Sequence, residues 1–275
     1  MRGSFLKNPK SWRDSKSWRE SKRRRGVHLI PNLLTTGNLF SGLASVVLVF
    51  HGRFEAAAIA ILIAIVFDIL DGTSARLMHS TSEFGVEYDS LADLISFGLA
   101  PGLLIYVWAL NSPGMLGAAI MFAFVACGAL RLARFNVMKI SGDGKFFTGL
   151  PIPAAAGLIA TLLIFDGHIV HMDPETKPIA VLIVSLVLSF LMVSTLKYPS
   201  LKQLKFPGHH HFMYLVWAVL ILVSVIAYPQ VMLFVVFAVY AIWGMVERGI
   251  GVVVKSLKKR GVPANSSQPL PGSKE

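Results

Sequence analysis

Asp68-Ile-Leu-Asp71-Gly72-Thr-Ser-Ala75-Arg76 is followed by eight residues, then Gly85, three more, Asp89, three more and Asp93. Four carboxylates thus lie inside or between strongly apolar segments, where an uncompensated charge is expensive. Asp68 and Asp71 are spaced i,i+3, and Asp89 and Asp93 i,i+4, so on helices each pair shares one face. The link Ser80-Thr-Ser-Glu-Phe-Gly85 is short and polar. The two helices are therefore expected to pack antiparallel, with their acidic faces converging on one pocket.

Mutual repulsion disfavours ionised carboxylates in one pocket unless cations sit among them. Oxygen-only ligands suit hard ions such as Mg²⁺ or Mn²⁺. Four carboxylates suffice to bridge two such ions, the arrangement that clamps a phosphate during in-line displacement. Gly72 and Gly85 let a ligand approach the backbone closely. Arg76 adds a planar donor suited to phosphate. A plainer reading, helix-end carboxylates solvated or paired with Arg76, suits any single Asp but not all four at this spacing together with both glycines.

The pattern D-x2-D-G-x2-A-R-x8-G-x3-D-x3-D resembles the signature of the CDP-alcohol phosphotransferases. Asp68, Asp71, Gly72, Ala75, Arg76, Gly85, Asp89 and Asp93 match every defined position. The resemblance implies an all-α integral membrane enzyme with the CDP-alcohol phosphotransferase fold. Such an enzyme transfers a phosphatidyl or similar group from a CDP-linked donor to an alcohol and releases CMP. It further implies two divalent cations on Asp68, Asp71, Asp89 and Asp93, with Asp93 as general base. Thr35, Asn38, Gly72, Ser74, Arg76 and Gly85 would border the nucleotide. A homodimer is also implied.

The composition agrees with a membrane protein: 54% of the 275 residues are hydrophobic and 15% charged. The single cysteine, Cys127, excludes an intrachain disulfide and reads as a small core residue. The net charge is +11, and ten of the 26 Lys and Arg precede Val27. This arm, residues 1–26, repeats Ser-Trp-Arg-acid-Ser-Lys at 11–16 and 17–22. It carries no base-reading motif, so anionic lipid rather than nucleic acid is its expected partner. Trp12 and Trp18 could dip into the interface; an unstructured tail is the equal alternative.

Eight spans are expected, at about 31–50, 54–70 continuing to Met78, 87–110, 115–131, 150–165, 179–195, 213–227 and 231–246. The first is unusually polar, with Asn32, Thr35, Thr36, Asn38 and Ser41; such groups should face protein or ligand. Gly98 and Pro101 are expected to kink the third. Arg131 and Arg134, spaced i,i+3, could grip a diphosphate or a carboxylate, or simply flank the fourth span. His209-His-His211 cannot share one helix face and reads as a solvated cluster. Residues 249–275 read as a basic, disordered tail after a catalytic domain spanning 27–248. An even span count places both termini on one side. Of the 26 Lys and Arg, only Arg53 and Lys177 fall in loops on the far side, so the termini and the acidic stretch are expected at the cytoplasmic face of the inner membrane.

Four flanking stretches narrow the resemblance: 31–38, 89–101, 127–136 and 149–156, with Tyr198-Pro-Ser200. Together they are similar to the membrane-integral, serine-accepting branch of the family. That branch implies CDP-diacylglycerol and L-serine as substrates, with Arg131 and Arg134 for the serine carboxylate or a donor phosphate. Glycerol 3-phosphate, an inositol phosphate or choline remain alternative acceptors. An ion or proton transporter, from a different class, would call for inverted repeats, which the sequence does not display.

Overall fold

The computed structural model describes residues 29–77, 82–112, 114–140, 147–198 and 228–260, with isolated positions between 219 and 227. The basic arm, the His209–His211 cluster, most of the expected seventh span and the tail beyond residue 260 lie outside the described residues.

The chain forms helices α1 (Leu29–Phe50), α2 (Phe54–Leu77), α3 (Glu83–Leu110), α4 (Met115–Ile140), α5 (Ile152–Val170), α6 (Thr176–Val193) and α7 (Pro229–Arg260). Among the described residues, five segments, within α1, α3, α4, α5 and α6, are long and apolar enough to cross a membrane. The molecule is a multi-pass helical membrane protein. Among the described residues, the departure from all-helix is a two-residue antiparallel pair, β1 (Phe147–Thr148) with β2 (Lys197–Tyr198).

Small residues line several of the helix contacts, while many large apolar side chains face outward. Ala57, Ala58, Ile61 and Ala64 of α2 are fully buried, whereas Phe40 and Phe50 of α1, Phe122 of α4 and Phe190 of α6 point outward. Lipid offers apolar side chains no penalty, so close backbone approach and van der Waals packing hold such helices together. One close approach joins α1 to α3. A Cβ on Gly42 would lie 2.6 Å from the Ser96 Cα, so no larger residue fits that crossing.

Directly after Asp93, α3 widens into a π-helical turn, Leu94–Leu99. Pro101 explains it. Proline has no N–H for the residue four back and its ring crowds that carbonyl, and a wider turn relieves both. The expected kink is therefore a change of helical pitch, at a place where such turns often mark function.

Several expected boundaries move. Helix α3 begins at Glu83, not Glu87, because Ser82 caps it: the Ser82 hydroxyl accepts from the Gly85 N–H at 3.0 Å. Helix α4 continues through Ile140 rather than ending at Arg131, because Arg131 is buried inside the protein and does not mark the membrane edge. Helix α7 absorbs the expected eighth span and continues to Arg260, so residues 249–260 are helical rather than tail. Its sequence keeps apolar residues at 250, 253, 254 and 257, the spacing of a helix face.

Tyr198 anchors α7 to β2. Its hydroxyl donates to the Ala241 carbonyl at 3.1 Å. Burial, with Tyr240 beside it, pushes the Tyr198 pKa up to about 12, so the phenol stays a donor throughout the neutral range. Gly149, at φ +88°, turns the chain into α5, and a side chain there would meet the Met192 carbonyl at 2.3 Å.

Candidate active site

Helix α1 packs along α2 and also against α3. The acidic stretch therefore converges around α1, and α3 does not lie chiefly along α2 as the short link suggested. Asp68 of α2 and Asp89 and Asp93 of α3 each place a carboxylate oxygen within 4.8 Å of the others. Asp71 stands beside this group and accepts a hydrogen bond from the Thr35 hydroxyl of α1. Asn38, one turn further along α1, donates from Nδ2 to Asp93 Oδ1 at 2.9 Å. The Ser96 hydroxyl then donates to the Asn38 backbone carbonyl at 3.0 Å. The polar face of α1 thus serves two of the four aspartates.

Arg131 of α4 is 8% exposed and lies within electrostatic reach of Asp93, Tyr240 and Asp68. Its Nε and the Asn38 Oδ1 are buried without a hydrogen-bond partner among the described residues. Buried polar atoms are normally satisfied, so both point to a polar ligand in this space. Arg134 goes elsewhere: its Nη1 donates to the Val193 carbonyl, 3.3 Å away, at the end of α6. A cation there also suits the negative end of a helix. The shared face of Arg131 and Arg134 is therefore divided between site and scaffold.

The two glycines also differ. A Cβ on Gly72 would meet nothing within 4 Å, so space is open beside it. A Cβ on Gly85 would crowd the Ser82 hydroxyl at 3.0 Å, which gives that glycine a capping role. Ser74 bonds back to the Asp71 carbonyl at 3.3 Å. The Arg76 backbone belongs to α2, and its side chain lies outside the described residues.

The carboxylates offer oxygen donors only, and three of them are already close enough to share a cation. This fits Mg²⁺ or Mn²⁺ and does not suit a soft metal. The residues missed from sequence are supporting ones. Asn136 donates to the Ser90 hydroxyl at 2.9 Å, bracing α4 against the acidic turn of α3. Tyr88 is another: its hydroxyl meets that of Thr36, one of the polar residues expected on α1, at 3.0 Å. Polar residues within apolar helices are the available signal; their partners are not written in spacing.

Residues 28–196 match the family model described as CDP-alcohol phosphatidyltransferase. The chain belongs to the CDP-alcohol phosphatidyltransferase family. The matched segment holds the whole acidic motif and stops before α7. Within this family the chain is 35% identical over 221 residues to the CDP-diacylglycerol--serine O-phosphatidyltransferase of Helicobacter pylori, covering 80% of this chain and 91% of that one. It is 38% identical over 172 residues to the archaetidylserine synthase of Methanothermobacter thermautotrophicus, covering 62% and 69%. The CDP-diacylglycerol--serine O-phosphatidyltransferase of Bacillus subtilis is 33% identical over 177 residues, covering 64% and 93%.

Proposed function

We propose that this protein transfers the phosphatidyl group of CDP-diacylglycerol to the hydroxyl of L-serine, giving phosphatidylserine and CMP. The observation that carries this reading is the meeting of Asp68, Asp89 and Asp93 within 4.8 Å beside buried Arg131. The names of the relatives quoted above all include serine, as acceptor or within the product, which supports serine over other alcohols.

Two divalent cations, held by Asp68, Asp71, Asp89 and Asp93, would neutralise the donor diphosphate. The residues of the chain do the rest. Asp93 removes the proton of the serine hydroxyl as its oxygen attacks the phosphorus that carries diacylglycerol. The bond from that phosphorus to the CMP oxygen breaks, and CMP leaves with the electron pair. General-base assistance of this kind contributes roughly 10²–10⁴-fold. Asn38 holds Asp93 in place, while Thr35, Gly72, Ser74, Arg76 and Gly85 border the nucleotide. Arg131 takes the serine carboxylate or a donor phosphate through its planar fork.

The reading extends to topology. Eight spans place the arm, the tail and the acidic site on the cytoplasmic face of the inner membrane, where nucleotide donors and Mg²⁺ are available. The working unit is a homodimer. A CMP-release assay with purified protein, CDP-diacylglycerol and Mn²⁺ tests the reaction. L-serine is expected to drive release, and glycerol 3-phosphate, inositol phosphate and choline are not. Release with one of those and not with serine would reassign the acceptor; no release with any alcohol would remove the enzyme reading.

A further inference from the structure

The α1–α2 turn and the ends of α3, α5 and α6 meet around a cavity of about 560 Å³, whose charged and aromatic lining is Arg53, Phe54, Glu55, Trp108, Asp166 and Lys177. Arg53 precedes Asp68 by 15 residues, about 22 Å of helix. The cavity therefore lies at the opposite end of the bundle from the carboxylate site.

Its charges are arranged unequally. Lys177 Nζ sits 2.8 Å from Asp166 Oδ2 and 5.2 Å from the centroid of the Trp108 ring. Asp166 is 3% exposed, and its other oxygen accepts from the Met172 N–H at 2.6 Å. Asp166 is thus satisfied and fixes Lys177 in place. Glu55 is only loosely engaged, 3.6 Å from His168 Nε2. Arg53 is exposed and makes no ion pair among the described residues.

Loops on the far side of a membrane protein are poor in Lys and Arg. Here Arg53 and Lys177, the two cations expected in far-side loops, line one cavity. Neutralising Asp166 accounts for Lys177 but leaves Arg53, Glu55 and the open volume without a role. Two cations against two carboxylates leave the lining with no net charge, with a guanidinium outside any ion pair among the described residues and a carboxylate held only loosely by His168.

We propose that this cavity binds the headgroup of a zwitterionic phospholipid, its phosphate against Arg53 and its ammonium against Glu55. A guanidinium fork matches two phosphate oxygens. Ile59 and Leu163 supply an apolar wall for the start of the acyl chains. The volume lies within the range of small-molecule sites. The assignment is independent of the reaction proposed for the aspartates.

Native mass spectrometry of the detergent-solubilised full chain tests it, with dioleoyl phosphatidylethanolamine, dioleoyl phosphatidylglycerol and free phosphoethanolamine titrated separately. The ethanolamine lipid is expected to bind, and Arg53→Gln to weaken it by about tenfold, as loss of a charged hydrogen bond does. Glu55→Gln should weaken the ethanolamine lipid but not the glycerol lipid. Asp68→Asn, at the other end, should leave the adduct unchanged. Retained CMP release by Arg53→Gln shows that the variant is folded. Equal binding by Arg53→Gln and the unaltered protein would overturn the site. Equal binding of both lipids would overturn the role of the ammonium. Free phosphoethanolamine binding as tightly as the lipid would assign the cavity to a soluble ligand instead.

Discussion

Asn38 and Asp93, 55 residues apart in sequence, are joined by a 2.9 Å hydrogen bond from the amide to the carboxylate. The bond sets the rotation of the proposed base from a different helix. In Asn38→Ala the carboxylate is free to turn. A misplacement of about 1 Å can cost about 10²-fold, so kcat should fall by that order while the KM for CDP-diacylglycerol changes less. Steady-state kinetics decide the point. If the KM rises and kcat holds, Asn38 serves the nucleotide alone.

Asp93→Asn keeps the size of the side chain and an acceptor oxygen but removes the base. Turnover should drop by roughly 10²–10⁴-fold, with CDP-diacylglycerol binding largely retained. Full activity in this variant would exclude Asp93 as the proton acceptor.

Chelation should silence the enzyme. Dialysis against EDTA is expected to abolish CMP release, and Mg²⁺ or Mn²⁺ to restore it, because the three clustered aspartates cannot hold a diphosphate by themselves. Undiminished turnover after exhaustive chelation would count against cations at the site.

The two arginines should behave differently. Arg131 is buried beside the aspartates, whereas Arg134 reaches the Val193 carbonyl. Arg131→Lys keeps the charge and loses the fork, so the serine or donor KM should rise by about tenfold, the loss of one charged hydrogen bond. Arg134→Lys should leave both KM values near normal and lower thermal stability slightly. A serine KM insensitive to Arg131→Lys would leave the donor phosphate as its remaining partner.

Gly42→Val tests the α1–α3 crossing. A Cβ there would lie 2.3 Å from the Ser96 hydroxyl oxygen and 2.6 Å from its Cα. Forcing the helices apart costs about 1–3 kcal/mol and pulls Asn38 away from Asp93. Both the melting temperature in detergent and kcat should fall. Unchanged kcat would show that the crossing does not govern the site.

The acidic motif was legible because its chemistry is carried by residue types at helical spacing. The polar face of the first helix was legible for the same reason, since Thr35 and Asn38 stand in an otherwise apolar span. The start of α3 was misplaced because the Ser82 cap lies before the apolar run that sets the apparent helix. Spacing alone leaves Arg131 open between gripping a ligand and flanking a span, since in sequence a buried arginine beside acids and a flanking one look alike. The direct packing of α2 on α3 was misjudged because a short link fixes proximity, not which neighbour fills the interface.

By itself the sequence determined a helical membrane protein, the four aspartates and their family. Helical periodicity and hydropathy are local properties, complete within a few turns. Only the tertiary structure decided that α1 supplies the partners of Asp71 and Asp93, across separations of 36 and 55 residues. It alone divided Arg131 from Arg134 and brought Arg53 to Lys177 at the far end. Those outcomes depend on which helix faces pack together, a choice made by close backbone contacts such as Gly42 on Ser96 and not encoded in any single stretch of chain.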